Sequence, residues 1–150
     1  MAKNRSISRI ADEQAALRRV AMLVARGAPP GQVFASVAEE AGRLLAAEFA
    51  VLIRYERQTV EVVGTWTTRE GPIPTPVGSR LPTGGQNVST LVHETGQPAR
   101  IDYTGGSGTI ARVAAGDWGL RSSVGVPVFR GCAGQRGGPA LERDDRGVRR

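Results

Sequence analysis

Between Phe49 and Trp66 the chain carries two runs of β-type residues, separated by a break too short for anything but a hairpin. Phe49, Val51, Ile53 and Tyr55 alternate with Ala50, Leu52 and Arg54. After the polar pair Arg57-Gln58, a second run covers Thr59 to Trp66 and sets Val60, Val62, Gly64 and Trp66 on one face. β-branched and aromatic residues at a period of two predict strands, and for so short a connection an antiparallel hairpin is the natural reading. Any fold for this chain must contain that hairpin.

Around it the period changes. Ala11 to Arg26 predicts a helix, with Leu17, Val20, Ala21 and Val24 on one face. Gly27 stops it, and Pro30 suits the first turn of a second helix reaching about Ala47. Val33, Phe34, Val37, Ala38, Ala41, Leu44 and Leu45 form that helix's broad apolar face, with Glu39, Glu40 and Arg43 opposite. Thr67 to Thr83 holds Pro72, Pro74, Pro76 and Pro82, which rule out a long helix but allow a short strand at Ser79 to Leu81. Asn87 predicts an N-cap for a helix over Val88 to Thr95, and Gly96 its left-handed end. A strand follows at Ala99 to Asp102, then glycine-rich Tyr103 to Gly108. A helix spans Thr109 to Trp118 with Ile110, Val113 and Ala114 inward, and Gly119 closes it. Ser122 to Val128 is a last strand, with Val124, Val126 and Val128 on one face. Helices interspersed among hairpin-joined strands make an α+β domain with an antiparallel sheet flanked by helices.

Charge narrows the function classes. The net charge is +6, but half of the excess sits in residues 129–150, which carry six Arg and three acids. The body has no dense basic stripe of the kind that neutralises many phosphates at once, so nucleic acid is not an expected partner. Cys132 is the only cysteine, which excludes an internal disulfide and a cysteine-based zinc site. The polar start of the chain is not a signal peptide, and no apolar run approaches a membrane span. A cytoplasmic setting and a disordered N-terminus over residues 1–10 are expected.

In this order of elements, the wording of several segments resembles the GAF domain, particularly those of actinobacterial sensor histidine kinases and related regulators. The resemblance rests on Gln14 to Ala21, Phe49-Ala50-Val51-Leu52, Gly85 to Val92, Thr95 to Asp102 and Gly119 to Pro127. It covers roughly residues 11–128. It implies a PAS-like sheet with a pocket between one face and its covering helices and loops. The pocket would take a small molecule (a cyclic nucleotide, haem, a bilin or a metabolite), and the resemblance does not say which. It implies a sensor in a bacterial two-component or related pathway, read by an attached kinase or regulator domain, with no catalysis of its own. A homodimer through the N-terminal helix is a further expectation, as is the rival reading of a dimerisation module with no ligand.

The chain departs from the family pattern after Val128. The family continues with another strand, central in the sheet, and a final helix. Phe129 to Arg150 instead contains five glycines and six arginines without apolar periodicity, which predicts a disordered tail and a domain incomplete at its C-terminus. A reading-frame shift near Val128 would explain so abrupt a change. The expectation is then a truncated form without an output domain, or a remnant that no longer functions.

The candidate ligand-binding residues are Trp66, Gln86, Asn87, Leu91, Ile110 and Trp118. Gln86 and Asn87 stand at a helix start, where open N–H groups can receive an anion, although a plain cap is the simpler role for Asn87. The two tryptophans could line a pocket or simply fill core, and Trp118 is the better placed. His93 is the only histidine and reads as a solvated helix residue. Ser122 and Ser123 have no triad partners, and no phosphate loop, dinucleotide fingerprint or paired-carboxylate signature appears. No catalytic residue and no metal site are expected.

Overall fold

A computed structural model describes residues 2–103 and 106–128. The Arg/Gly-rich tail, its expected disorder, the frame shift and Cys132 lie outside the described residues. The chain begins with α1 (Ala2–Ala25) and α2 (Pro30–Leu44), followed by the hairpin strands β1 (Phe49–Glu56) and β2 (Thr59–Thr67). Next come β3 (Arg80–Pro82), α3 (Val88–Thr95) and β4 (Ala99–Asp102). Then α4 (Gly108–Arg112) runs into a π-helical turn (Val113–Asp117), and β5 (Ser122–Gly125) follows.

The hairpin forms as expected, with Glu56 opposite Thr59 across Arg57-Gln58. Its register slips once: Leu52 faces Gly64 but Ile53 faces Val62, so Val63 is a bulge residue. β3 adds to the other side of β2 through Val60 and Leu81. β4 and β5 form a separate antiparallel pair, Ala99 opposite Gly125 and Asp102 opposite Ser122. The sheet therefore stands in two pieces, and β1 and β5 each have one paired neighbour among the described residues. β5 ends at Gly125, three residues short of the strand expected to Val128, and Val124, Val126 and Val128 are 62%, 63% and 80% exposed.

α2 lies against β2 at unusually close range, because glycines stand at both contacts. A Cβ built on Gly64 would sit 2.6 Å from the Phe34 carbonyl oxygen, and one on Gly42 would overlap the Trp66 indole. Val60 and Val62 are buried beneath the same helix layer. On α3, Val88 and Val92 close over Gly125 of β5. A small core of Tyr103, Ala111 and Ala114 joins Ile101 and Leu120 between α4 and the β4–β5 pair.

Four expectations are corrected. Residues 2–10 are helical, not disordered, since nothing between Ala2 and Gly27 breaks a helix. The α1 face that meets α2 holds buried Ala16 with half-buried Val20 and Leu23, whereas Leu17 and Val24 are 71% and 59% exposed. Glu40 is buried, not solvated, because α2 is covered by the sheet on one side and by α1 on another. The second helix also ends at Leu44, three residues early. The Ala46 and Ala47 N–H groups bond back to Arg43 and Gly42, with Ala46 in the left-handed region at φ 48°.

Arg19 of α1 grips Glu40 with two bonds, Nε to Oε1 at 2.5 Å and Nη2 to Oε2 at 2.7 Å. These bonds hold the Glu40 carboxyl below its ordinary value, against the burial that pushes it up. A folded pKa below the unfolded one stabilises fully above the unfolded pKa and is lost as pH falls through the folded value. Acid denaturation below about pH 4.5 is therefore expected to be less steep in Glu40→Gln than in the wild type. Circular dichroism melts at stepped pH measure this, and equal slopes would show that the pair contributes nothing.

Candidate functional site

Trp118 ends the π-helical turn. Its N–H bonds five residues back to the Val113 carbonyl at 3.0 Å, and this wide turn replaces the last part of the regular helix expected to Trp118. The indole is 5% exposed. Its Nε1 donates to Thr75 Oγ1 at 2.8 Å, which anchors the proline-rich loop to the far side of the fold. Its ring meets Phe49 of β1 at 4.6 Å between centroids, tilted by 46°.

Arg69 completes the arrangement. Its guanidinium lies 4.8 Å over the Phe49 ring and donates Nη1 to the Trp118 carbonyl at 3.0 Å. Nε and Nη2 both go to Glu48, which holds the fork in place. Between these groups and the loop from Thr67 to Pro74 is a cavity of about 120 Å³, walled also by Asp117. Its walls combine two aromatic rings and two prolines with one cation, Arg69, and two acids, Glu70 and Asp117, so polar and apolar surface share the lining.

The six sequence candidates do not converge. Trp118 lines this cavity. Trp66 pairs with Ala50 across the hairpin, so it lies on the opposite face of the sheet from Phe49. There it borders a shallow groove of about 420 Å³ with Gly42, Ala46 and Ala47. Gln86, Asn87, Leu91 and Ile110 line neither space. Gln86 is exposed and ties the start of α3 to Ser107, its N–H donating to Oγ at 2.9 Å and its carbonyl accepting from Ser107 N at 3.1 Å. Asn87 is fully buried. Its Oδ1 accepts from Thr90 N at 2.9 Å and Nδ2 donates to the Gly84 and Gly85 carbonyls, so the side chain is spent on capping α3. Leu91 and Ile110 are half-buried helix residues.

His93 stacks on Tyr55 at 4.6 Å, and the Tyr55 hydroxyl donates to the Ser89 carbonyl at 2.7 Å. Neither residue borders the cavity. The described residues contain no group of three side chains able to hold a metal ion, and none of their helices is long and apolar enough to cross a membrane. Sequence reasoning missed Phe49, Arg69 and Thr75. Phe49 read as an ordinary strand residue, and no local pattern marks the other two within the loop.

The GAF domain family model matches residues 29–138. The chain belongs to the GAF family. The matched stretch begins after α1 and runs past Val128. Among solved structures, the phycoerythrobilin-bound GAF domain of a cyanobacterial phytochrome is similar at TM-score 0.60 and 14% identity, over 79% of this chain and 75% of that one. The phycocyanobilin-bound GAF domain of a cyanobacterial phytochrome is similar at TM-score 0.57 and 16% identity, over 77% and 72%. At such identity the likeness establishes the fold alone. No curated protein matches the chain.

A tetrapyrrole does not fit this GAF domain's cavity as it stands. About 120 Å³ is well below the ~300–1,000 Å³ of sites that enclose drug-sized ligands. The one histidine, a candidate haem ligand by type, stacks on Tyr55 and does not line this cavity.

Proposed function

We propose that this GAF domain is the sensory part of a bacterial signalling protein, binding a compact small molecule and passing the change to a kinase or regulator domain, with no reaction of its own. The observation that carries this reading is the cavity between Trp118, Phe49 and Arg69 under the loop from Thr67 to Pro74. Arg69, already paired with Glu48, keeps one N–H on each terminal nitrogen to offer a carboxylate or phosphate, and the rings supply stacking surface. The loop contains Gly71 and Gly78 at positive φ and reaches the core through buried Thr75. A ligand that enlarges the cavity must shift that loop, and a ligand regulates only by binding two states unequally. A cytoplasmic setting suits this role, as does a homodimer through the N-terminal helix, since paired sensors can transmit a change across their shared axis.

The test is a thermal-shift panel on the full chain with free amino acids, short carboxylic acids, cyclic AMP, cyclic GMP, haemin and biliverdin. A compact anion is expected to raise the melting temperature in the wild type and to lose that effect in Arg69→Gln. No shift from any compact compound would overturn the reading. A shift from haemin or biliverdin alone would overturn the assignment of a compact ligand.

A further inference from the structure

The cavity under the proline-rich loop is lined by more acid than base. Arg69 is its one cation, and Glu48 already matches that charge from outside the lining. Glu70 and Asp117 line it too, both exposed, and among the described residues neither is joined to a cation. Glu70 follows Arg69 in the chain, and Asp117 precedes Trp118, whose carbonyl Arg69 holds at 3.0 Å. Consecutive Cα atoms lie only ~3.8 Å apart, so both acids stand beside the guanidinium and its contact. Asp117 is also the last residue of the π-helical turn. A carboxylate at a helix C-terminus stands against the helix dipole, which favours a cation there. That placement costs stability by itself, and a bound positive group relieves it.

These charges choose between ligand classes. Once Arg69 and Glu48 cancel, the carboxylates of Glu70 and Asp117 remain. A phosphate or a dicarboxylate brings more charge of the same sign to close range and is repelled. A plain amine meets the acids but leaves the two spare N–H groups of Arg69 without acceptors, which wastes charge-assisted bonds. A zwitterion satisfies both ends. Its carboxylate takes the Arg69 N–H groups, and its ammonium takes the acids. In an α-amino acid one carbon separates the two charges, a short span that suits groups set side by side along the chain. The cavity's 120 Å³ is roughly the liquid share of four waters, so only a short side chain enters with them. Pro72, Pro74 and the Trp118 ring give that side chain its apolar wall.

We infer that the cavity selects a small zwitterion, an α-amino acid with a short side chain, held at its carboxylate by Arg69 and at its ammonium by Asp117 and Glu70. This rests on the sensory reading above and names the chemical class of its ligand. Glu70 belongs to the loop and Asp117 to the helical end, so one ammonium fastens the two segments together. The protein itself joins them through the Thr75–Trp118 bond and through Arg69. Binding therefore tightens a junction that the fold already contains.

Isothermal titration calorimetry of the full chain tests this. The probes are glycine, L-alanine, L-serine, L-threonine, L-valine and L-proline, with acetate, propionate and ethylamine as single-charge controls. At least one amino acid is expected to bind about tenfold tighter than either carboxylate, or more, with ethylamine silent. Asp117→Asn and Glu70→Gln, at exposed sites, should keep the wild-type circular dichroism spectrum. Each should cut the amino-acid affinity by about tenfold and leave any propionate binding unchanged or tighter. Arg69→Gln should remove the binding of both. Amino acids no tighter than propionate, or a preference untouched by both acid substitutions, would overturn the zwitterion while leaving the sensor of a compact anion standing. Silence from amino acids and carboxylates alike would overturn the sensory reading itself, and this inference with it.

Discussion

Replacing Trp118 by alanine is expected to cost about 3–5 kcal/mol, the largest single loss in the molecule, because it removes a 5%-exposed indole whose place no neighbour can fill. The reason is position more than size. Trp118 is tied to the loop by the Thr75 bond, to β1 by Phe49 and to Arg69 by its carbonyl, so three segments far apart in sequence meet at one residue. Two finer variants separate the contributions. Trp118→Phe retains most of the ring contact but leaves buried Thr75 Oγ1 without its donor, for an expected loss of about 1–3 kcal/mol. Adding Thr75→Val removes the stranded hydroxyl and should return part of that loss. Urea denaturation of the wild type, Trp118→Phe, Thr75→Val and the double variant closes the cycle. If Trp118→Phe and the double variant are equally stable, the hydrogen bond is not coupled to folding, and the loop is held by its prolines alone.

Gly64→Val is expected to reach the upper end of the ~1–3 kcal/mol that overpacking costs, or to pass it. The clash is with backbone, not with a side chain that can swing away. A Cβ there lies 2.6 Å from the Phe34 carbonyl oxygen and 2.9 Å from its carbon, so α2 and β2 must separate along their whole contact. A domain's net stability is only ~5–15 kcal/mol, and a loss of this size lowers the melting temperature by about 10 °C. Gly31→Ala is the matched control. Nothing lies within 4 Å of its added Cβ, it is exposed near the start of α2, and alanine is the better helix former. Its melting temperature should hold or rise. If both variants melt alike, helix and strand are not packed as tightly as the geometry has them.

The contrast between these glycines illustrates where sequence reading stops. Gly31, Gly42 and Gly64 are the same letter, yet one faces solvent, one a tryptophan ring and one a carbonyl. Gly96, by contrast, was legible: it follows a capped apolar helix and precedes a proline, and it takes φ 62° as a left-handed C-terminus must. Asn87 was legible as a cap for the same reason, since its partner is three residues away along the chain. Arg69 and Thr75 were not, because their partners are 49 and 43 residues distant.

The sequence by itself determined the order of elements, the β1–β2 hairpin, the α3 caps and the α+β class. Each of these depends on contacts within a few residues or on the period of the apolar pattern. Tertiary structure alone decided which stripe of α1 is covered, that Glu40 is buried and paired with Arg19, and that Trp66 and Trp118 lie on opposite faces of the sheet. α1 bears two stripes of similar apolar content, and periodicity cannot choose between them. Small Ala16 and the reach of Arg19 to Glu40 make that choice, and both act only once α1 and α2 have met.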